Sequence, residues 1–374
     1  METKTSKRIA LGLIVKNEGH CIQRCLSSCK PLIDRVIFND NGSTDDTVDK
    51  IFSWCQDNDI GFTYLPDPWV SFDINRSKVL EAAYTEKDID YVLMIDADEV
   101  LVCEAGLNVE NLKESLTCDL YDVETRMGGT TYLRPQLSSN KRKFVYGGVV
   151  HEFIVPLEEV RTRATLKGVF NMPIQDSARN KDPDKFKKDA AELQKAYDKE
   201  NDSFLKSRYC FYLAQSYRDS GNIDNAIEYY LLRSKMGHWE EEVYTSLVYA
   251  GRLLRSKGTI EFQSSALTFY DQAINHNFGR AEAYYEAAVL NKDLGRFNTA
   301  YLLGKEAINK APAPGILFAE NWIYDYSLAF EMSVIAFYAG DKVSAKKLTE
   351  QCIANPRCPQ NLKDHSKKNL EFYK

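Results

Sequence analysis

The stretch that decides the fold is Tyr91-Val-Leu-Met-Ile95, followed at once by Asp96-Ala-Asp98-Glu99. An unbroken apolar run of this length is typical of a strand that is covered on both faces of a sheet. The carboxylates of Asp96 and Asp98, two residues apart at the strand end, can both turn toward one ion. Oxygen ligands of this kind suit Mg²⁺ or Mn²⁺, and such an ion would bridge the phosphates of a nucleotide. Alone, this pair is a weak signal, because it occurs by chance in many loops.

The residues before this stretch alternate between strand and helix signals. Strands are predicted at Ile9–Val15, at Arg35–Phe38 and, more weakly, at Gly61–Leu65, with helices over about Glu18–Cys29 and after Asp45. This order predicts an α/β domain with a mostly parallel sheet and helices on both faces. Ligands bind such sheets beyond the carboxyl ends of the strands. Three polar clusters stand at those ends: residues 16–18, 40–45 and 96–99.

The second half of the chain has a helical pattern with internal repeats. Gly221, Gly258 and Gly295 are 37 residues apart, and Gly340 continues the series at a longer interval. An alanine follows each glycine, at Ala226, Ala266, Ala300 and Ala345. This pattern resembles the tetratricopeptide repeat, a helix–turn–helix unit of about 34 residues. We therefore expect an all-α repeat domain over residues 204–374, a linker or helix over 181–203, and the α/β domain over 1–180.

Composition excludes some classes of function. The net charge of −6 disfavours strong nucleic-acid binding, which usually needs a basic surface. No run of about 18 apolar residues could span a bilayer, and Met1 to Arg8 lacks the apolar stretch of a secretory signal. Nine cysteines without a framework spacing suit a reducing compartment, so we expect a cytoplasmic protein. Cys21, Cys25 and Cys29 would share one helix face, and we favour buried packing there over a metal site.

The first half resembles the inverting glycosyltransferase family 2, which has the GT-A fold. Three motifs carry this resemblance over roughly residues 8–180: Leu13-Ile-Val-Lys-Asn-Glu18, Asn39-Asp-Asn-Gly-Ser-Thr-Asp-Asp-Thr47 and Asp96-Ala-Asp-Glu99. Together with the repeats, the chain is similar to a branch of that family that includes enzymes acting on peptides or proteins. The resemblance implies sugar transfer from a nucleotide-sugar, by family habit a UDP-sugar, with Mn²⁺ or Mg²⁺ as cofactor.

The resemblance also implies roles for residues of the donor site. Those expected at the nucleotide base or ribose are Val15, Asn17, Glu18, Asp40 and Asp45. Arg76, which ends Phe72-Asp-Ile-Asn-Arg76, would lie near the donor diphosphate. Asp96 would contact the ribose or a metal-bound water, and Asp98 would bind the metal. Asn41 departs from the aspartate that is more common in the family, which leaves the base contact open.

Tyr146-Gly-Gly-Val-Val-His151-Glu152 resembles a His-Glu motif of the same branch. His151 would be a further metal ligand, and Glu152 would be the general base that takes the proton of the acceptor. The alternative is a His and a Glu at a strand end on a solvated face. Many relatives outside the branch place an aspartate later as the base, which makes Asp176 the second candidate.

Several arginines and a lysine have open roles. Arg134 and Arg142 could clamp phosphate or acceptor, or could be ordinary surface arginines. Arg179 and Lys181 would lie on a loop over the donor.

Two functions therefore compete. The first is an enzyme whose repeats help to bind an acceptor protein, peptide or glycan, and whose repeats could also support a homo-oligomer. The second is a catalytically inactive transferase-like protein that acts as a repeat-mediated binding module. The combined presence of Asp96, Asp98, His151 and Glu152 favours the enzyme, because a decayed site has no chemical need for all four.

Overall fold

The computed structural model describes residues 6–312 and 316–373. The chain divides into two compact units, one of Met1–Gly128 with Tyr132–Lys199 and one of Gly129–Thr131 with Glu200–Lys374. The expected linker over 181–203 is thus largely a helix of the first unit, and the boundary falls between Lys199 and Glu200. Within the described residues, every helix is too short or too polar to cross a membrane.

The first unit combines a large sheet with flanking helices. Its strands are β1 (Ile9–Val15), β2 (Arg35–Asp40), β3 (Gly61–Leu65), β4 (Tyr91–Met94), β5 (Glu99–Cys103), β6 (Leu120–Met127), β7 (Thr130–Ser139), β8 (Phe144–Gly147), β9 (Phe153–Pro156) and β10 (Arg163–Pro173). Its α-helices are α1 (Ile22–Cys29), α2 (Thr47–Asp57), α3 (Phe72–Ala83), α4 (Val109–Ser115) and α5 (Lys185–Lys199). The strand order is β3-β2-β1-β4-β7-β6-β10-β5, and β8 and β9 form a separate pair.

The sheet is mixed, whereas the sequence predicted a mostly parallel one. Strands β3, β2, β1 and β4 are parallel, as expected from the strand–helix alternation before residue 95. Strand β7 then joins β4 in the antiparallel sense. Gly128-Gly129 connects β6 directly to β7 without a crossover helix, so that β7 runs back in the opposite direction to β6, and Gly128 has the positive φ of 58° that tight turns need.

Strand β1 has a separate core on each face. Ile9, Leu11 and Leu13 pack with α1 and α2, whereas Ala10 packs with α3 on the other face. This alternation follows from the two-residue period of a strand. Gly12 is held close to β4, since a Cβ there would lie 2.1 Å from the sulfur of Met94. The carboxyl ends of β1, β2 and β4 are therefore placed side by side by packing on both faces.

The second unit is a series of helix pairs. Its α-helices are α6 (Ser203–Asp219), α7 (Ile223–Arg233), α8 (Glu240–Ser256), α9 (Ile260–His276), α10 (Glu282–Asp293), α11 (Phe297–Ala307), α12 (Leu328–Tyr338), α13 (Lys342–Ala354) and α14 (Gln360–Leu370). A π-helical segment, Ile323–Ser327, precedes α12. The two-residue strand β11 (Ala319–Glu320) pairs with Thr131 and Thr130, which explains why residues 129–131 cluster with this unit.

The repeat glycines end the first helix of each pair. Gly221, Gly258, Gly295 and Gly340 follow α6, α8, α10 and α12, and all have φ between 73° and 91°. A helix commonly ends with a glycine in this left-handed conformation, which costs other residues free energy. The alanines Ala226, Ala266, Ala300 and Ala345 are fully buried in the second helices. The tetratricopeptide-like organisation predicted from the sequence is therefore confirmed.

Candidate active site

Arg76 of α3 is the centre of the candidate site. Its side chain is only 6% exposed. Its Nε donates to Oε1 of Glu152 at 2.5 Å, and its Nη2 donates to Oδ1 of Asp96. The ring of Tyr146 lies 5.7 Å from its guanidinium carbon. A buried guanidinium needs such partners, so Arg76 joins Asp96 and Glu152, which are 56 residues apart in the sequence.

A second arginine stabilises the ionised form of Asp96. Arg134 of β7 donates to Glu99, and its Nη2 lies 3.7 Å from Oδ2 of Asp96. Burial alone would raise the pKa of Asp96, but the charges of Arg76 and Arg134 hold that pKa below its usual value. Burial raises the pKa of Glu99 despite Arg134, and the nearby Asp96 charge adds to this. Arg134 therefore belongs to the site and is not an ordinary surface arginine.

Asp98 and Glu18 are buried carboxylates. Among the described residues, neither forms an ion pair with a Lys or Arg side chain. Oδ2 of Asp98 accepts hydrogen bonds from the Ser177 N–H at 3.1 Å and from Asn180 at 3.0 Å. Glu18 accepts from the Ala178 N–H at 3.3 Å and from the thiol of Cys21 at 3.2 Å. Burial raises the pKa of Glu18, and the charge of Asp98 raises it further. Asp98 and Glu18 thus place two carboxylates close together without a direct Lys or Arg ion pair in the described part of the chain, and the charge of Arg24 acts on Asp98 only from a longer distance.

Residues 175–181, which we name the strap, cross the ends of β1 and β4. Asp176 receives two hydrogen bonds from Arg24, at 2.8 and 2.6 Å, and Nε2 of His20 lies 2.6 Å from its carbonyl oxygen. Arg179 pairs with Asp189 and stacks on the ring of Phe72 at 4.5 Å. The hydrogen bonds from Arg24 hold the pKa of Asp176 below its usual value. In this arrangement Asp176 is a poor acceptor for a substrate proton.

The loops after β1 and β2 interlock. Asn17, which has a φ of 58°, accepts at Oδ1 from the Thr44 N–H at 2.7 Å. Asp40 accepts from the Ser43 N–H at 3.1 Å, and the Val15 carbonyl accepts from the Asn41 N–H at 2.9 Å. Asp45 accepts from the N–H groups of Gly19 and Thr47. The predicted base and ribose residues are therefore brought together, and they also order the loops that carry them.

Burial raises the pKa of Asp45, but hydrogen bonds to its carboxylate lower that pKa by more. The side chain and backbone of Thr47 and the backbone of Gly19 donate to the carboxylate, and they hold the pKa of Asp45 below its usual value. Asp45 is therefore ionised at neutral pH. Its charge adds to that of the other carboxylates at the ends of the strands.

His151 lies on the turn between β8 and β9, is exposed, and has a φ of 56°. Among the described residues, the group of three candidate ligands with atoms within 4.8 Å of one another is Glu18, His20 and Cys21, which does not include Asp98 or His151. Burial raises the pKa of the Cys21 thiol, which donates to Glu18, so this group is a hydrogen-bonded one. Carboxylate oxygens such as those of Asp98 suit a hard divalent cation. Asp98 and His151 stay the predicted protein ligands of such an ion.

Sequence reasoning missed two residues of this site and left others open. Arg24 and Asn180 carry no local motif, and they reach Asp176 and Asp98 from 152 and 82 residues away. Arg142, which was a candidate clamp, instead pairs with Asp119 and Glu158.

Comparisons with known proteins agree with this description. Residues 11–104 match the family model described as glycosyl transferase family 2. A TPR repeat-containing protein of Synechococcus elongatus is 24% identical over 326 residues, which cover 82% of this chain and 76% of that protein. An uncharacterized glycosyltransferase of Rickettsia prowazekii is 34% identical over 115 residues, 31% of this chain and 36% of its own length.

Among solved structures, a thermophilic TPR protein of Thermus thermophilus aligns with 50% of this chain and 91% of its own, at 14% identity and a TM-score of 0.34. The alignment with the Rickettsia protein spans only about a third of that protein's length and about a third of this chain. The helix pairs with their glycine ends account for the rest of the chain. The first unit therefore carries a glycosyltransferase family 2 domain, and the chain continues into tetratricopeptide-like repeats.

Proposed function

We propose that this protein is an inverting, divalent-metal-dependent glycosyltransferase. The donor would be a nucleotide-sugar, with UDP-sugars as the first candidates, and the acceptor would be a protein, peptide or glycan. The observation that carries the proposal is the buried Arg76, which joins Asp96 to Glu152 at the ends of the parallel strands. The neighbouring Asp98 is a buried carboxylate without a direct Lys or Arg ion pair among the described residues. Burying a charge costs free energy, and a group of buried charges with shifted pKa values in a cleft is a candidate functional site.

The residues of the site would divide the work as follows. Asp98, with His151 as the expected second protein ligand, would hold Mn²⁺ or Mg²⁺, which supplies positive charge for the departing nucleoside diphosphate. Arg76 and Arg134 keep Asp96 ionised and oriented toward the donor ribose. The loops that hold Asn17, Asp40 and Asp45 would enclose the nucleotide base.

Glu152 is the proposed base. In the structure its carboxylate is occupied by Arg76, at 2.5 Å. A donor diphosphate offers Arg76 a stronger, doubly charged partner, to which a guanidinium can donate two parallel hydrogen bonds. When Arg76 turns to the diphosphate, Glu152 is released and can take the proton of the acceptor. Binding of the donor would thus activate the base, and a single in-line displacement would invert the anomeric carbon.

The direct test is release of UDP from a panel of UDP-sugars with Mn²⁺, together with the thermal shift caused by UDP and Mn²⁺. Asp98→Asn should lower the rate of UDP release by about 100-fold or more and should remove most of the thermal shift, since it removes a charged metal ligand. The matched control is Asp59→Asn, because Asp59 is exposed and its φ of 53° is one that asparagine tolerates. Glu152→Gln should keep the thermal shift and lose transfer by about 10²–10⁴-fold.

The same experiment separates the enzyme from the binding module. If no donor releases UDP and UDP with Mn²⁺ causes no thermal shift, the proposal is wrong and the inactive transferase-like module remains. If Asp176→Asn lowers transfer as much as Glu152→Gln does, the base has been assigned to the wrong residue.

A further inference from the structure

Glu18, His20 and Cys21 lie together on the loop between β1 and α1. Each side chain offers one atom that can bind a metal ion, and these three atoms lie within 4.8 Å of one another. The Cys21 N–H donates to the Glu18 carbonyl oxygen at 3.0 Å, which closes the backbone into a turn. Paired ligands of zinc sites often have the same spacing, with two residues between them. The loop therefore presents three different ligand types on one turn.

A proton links two of these side chains. The Cys21 thiol donates to Oε2 of Glu18 at 3.2 Å, and both residues are at most 8% exposed. Burial raises the pKa of both groups, and the negative charge of Asp98 adds to this in each case. Acidic groups that are buried side by side favour a cation between them. The shared proton supplies one positive charge, and a divalent metal ion in its place would supply two.

His20 completes the group from the solvent side. Its side chain is exposed, so the ring can reorient without repacking of the core. Its Nε2 lies 2.6 Å from the Asp176 carbonyl oxygen, and the Ala178 N–H donates to the Glu18 carboxylate at 3.3 Å. Asp176 and Ala178 both belong to the strap. Two of the three groups that could bind a metal ion therefore also hold the strap in place.

The donor atoms of this group differ from those of Asp98. A sulfur, an imidazole nitrogen and one carboxylate oxygen suit Zn²⁺, whereas Mg²⁺ and Mn²⁺ prefer sites built from oxygen. Tetrahedral zinc brings such ligand atoms to roughly 3.3–3.6 Å from one another. The present separations exceed that range by about 1 Å at most, a change that rotation of the exposed His20 side chain can supply.

We propose that Glu18, His20 and Cys21 form a zinc site whose occupation releases the strap. The thiol proton passes to solvent as the Cys21 sulfur bonds to the metal, and a water molecule takes the fourth position. His20 then leaves the Asp176 carbonyl oxygen, and Glu18 leaves the Ala178 N–H. The zinc site is argued from the geometry of this loop and does not depend on the sugar-transfer proposal.

The consequence for sugar transfer does rest on the proposed function. The Ser177 N–H and the Asn180 side chain, both of the strap, donate to Asp98 at 3.1 and 3.0 Å. Release of the strap would remove these contacts from the expected ligand of Mn²⁺ or Mg²⁺. A zinc ion close to Asp98 would also repel that second cation. Zn²⁺ should therefore inhibit transfer through a site that is separate from the catalytic metal.

The experiment uses the full-length chain after treatment with a chelator, and Co²⁺ as a spectroscopic substitute for Zn²⁺. Co²⁺ bound to a thiolate gives a sulfur-to-metal charge-transfer absorption, which oxygen and nitrogen ligands do not give. We expect this band in the wild type and its loss in Cys21→Ser. Zn²⁺ should displace the bound Co²⁺, whereas equimolar Mn²⁺ should not. The matched control is Cys103→Ser, since Cys103 is a partly exposed free cysteine outside this loop, and it should keep the band.

Competition with a coloured chelator gives the Kd for Zn²⁺. Loss of a partner that only orients a metal ligand weakens metal binding by about 10–100-fold. Cys21→Ser, which removes a ligand, should therefore raise the Kd by at least about 100-fold. His20→Gln should raise it by at least about tenfold and leaves folding intact, because His20 is exposed. His365→Gln is the control for it, since His365 is also exposed, and it should leave the Kd unchanged.

Release of the strap has its own measurement. Zn²⁺ should speed hydrogen exchange at Ala178 in the wild type, and should not do so in His20→Gln at the same Zn²⁺ concentration. Asp98→Asn should keep the cobalt band, because Asp98 supplies no ligand to this site.

The proposal is overturned if Cys21→Ser keeps the band, if His20→Gln binds Zn²⁺ as tightly as His365→Gln, if exchange at Ala178 does not respond to Zn²⁺, or if Asp98→Asn loses the band. None of these measurements needs a sugar donor, so a failure of the proposed transferase function would leave them intact. Inhibition of UDP release by Zn²⁺ in the wild type, and its absence in Cys21→Ser relative to that variant's own rate, would connect the two proposals.

Discussion

Replacement of Arg76 by methionine tests the charge network of the candidate site. Methionine keeps an unbranched side chain of similar length but removes the guanidinium. Breaking a buried ion pair by removing one partner costs about 3–5 kcal/mol of unfolding free energy, because the other charge stays buried. Here Glu152 is 12% exposed and loses a partner at 2.5 Å, whereas Asp96 keeps Arg134 at 3.7 Å. We therefore expect the lower end of that range, about 3 kcal/mol.

The expected loss of unfolding free energy can be measured on the full-length chain and assigned to the first unit. Urea unfolding gives the free energy, and hydrogen exchange of strands β1 and β4 assigns the change to this unit. For a unit of roughly 200 residues, about 3 kcal/mol corresponds to a decrease in Tm of roughly 6–12 °C. The control is Arg161→Met, since Arg161 is exposed and its backbone N–H, not its side chain, bonds to Asp119. It should change stability by less than about 0.5 kcal/mol.

The difference in stability between the wild type and Arg76→Met should depend on pH in a predictable direction. The pKa of Asp96 is lowered in the folded protein, so its ion pairs stabilise the wild type above the unfolded-state pKa of about 3.9. That stability is lost as the pH falls through the folded-state pKa. The Arg76→Met variant lacks much of it at every pH, so the difference between the two proteins should be largest near pH 7 and shrink below about pH 4. A difference that is independent of pH, or no larger than that of Arg161→Met, would refute the reasoning.

Three further predictions concern other parts of the molecule. Arg24→Ala should lower the free energy of unfolding by at most about 1 kcal/mol, because the pair of Arg24 with Asp176 is partly exposed. It should nevertheless speed hydrogen exchange at Ser177 and Ala178, and unchanged exchange there would show that this pair does not hold the strap in place. Gly304→Ala should destabilise the repeats by about 1–3 kcal/mol in urea unfolding, since a Cβ there would lie 1.8 Å from the Met332 sulfur. Asp341→Ala should cost about 1 kcal/mol by removing the cap on the Ser344 N–H, and an unchanged Tm would contradict this.

Much of the fold could be predicted because its signals are local. Strands β1 and β3 have the bounds expected from the apolar runs, and β2 and β4 differ only at their last residues. The helix-ending glycines are likewise local, because the need for a positive φ depends on the backbone at one residue. The antiparallel part of the sheet was not predicted, since β5 to β10 lack the simple alternation of strand and helix.

The candidate site could be predicted only in part. The strand-end motif pointed to Asp96 and Asp98, and the family resemblance pointed to Arg76 and Glu152. The structure joins Asp96 and Glu152 through Arg76. The roles of these residues in binding and catalysis stay predictions until the donor experiments are done. The sequence did not indicate that Arg24 would form an ion pair with Asp176, or that the Asn180 side chain would donate a hydrogen bond to Asp98.

The sequence by itself determined where strands β1 to β4 form, where the repeat units turn at their glycines, and which polar clusters stand at the ends of those strands. These features depend on apolar periodicity and on the sterics of single residues, which act over a few positions. Only the tertiary structure decided which charges meet, as in the pairs of Arg76 with Asp96 and of Arg134 with Glu99. Those contacts join residues far apart in the chain, and their partners are selected by how the packed elements bring buried charges into reach of one another.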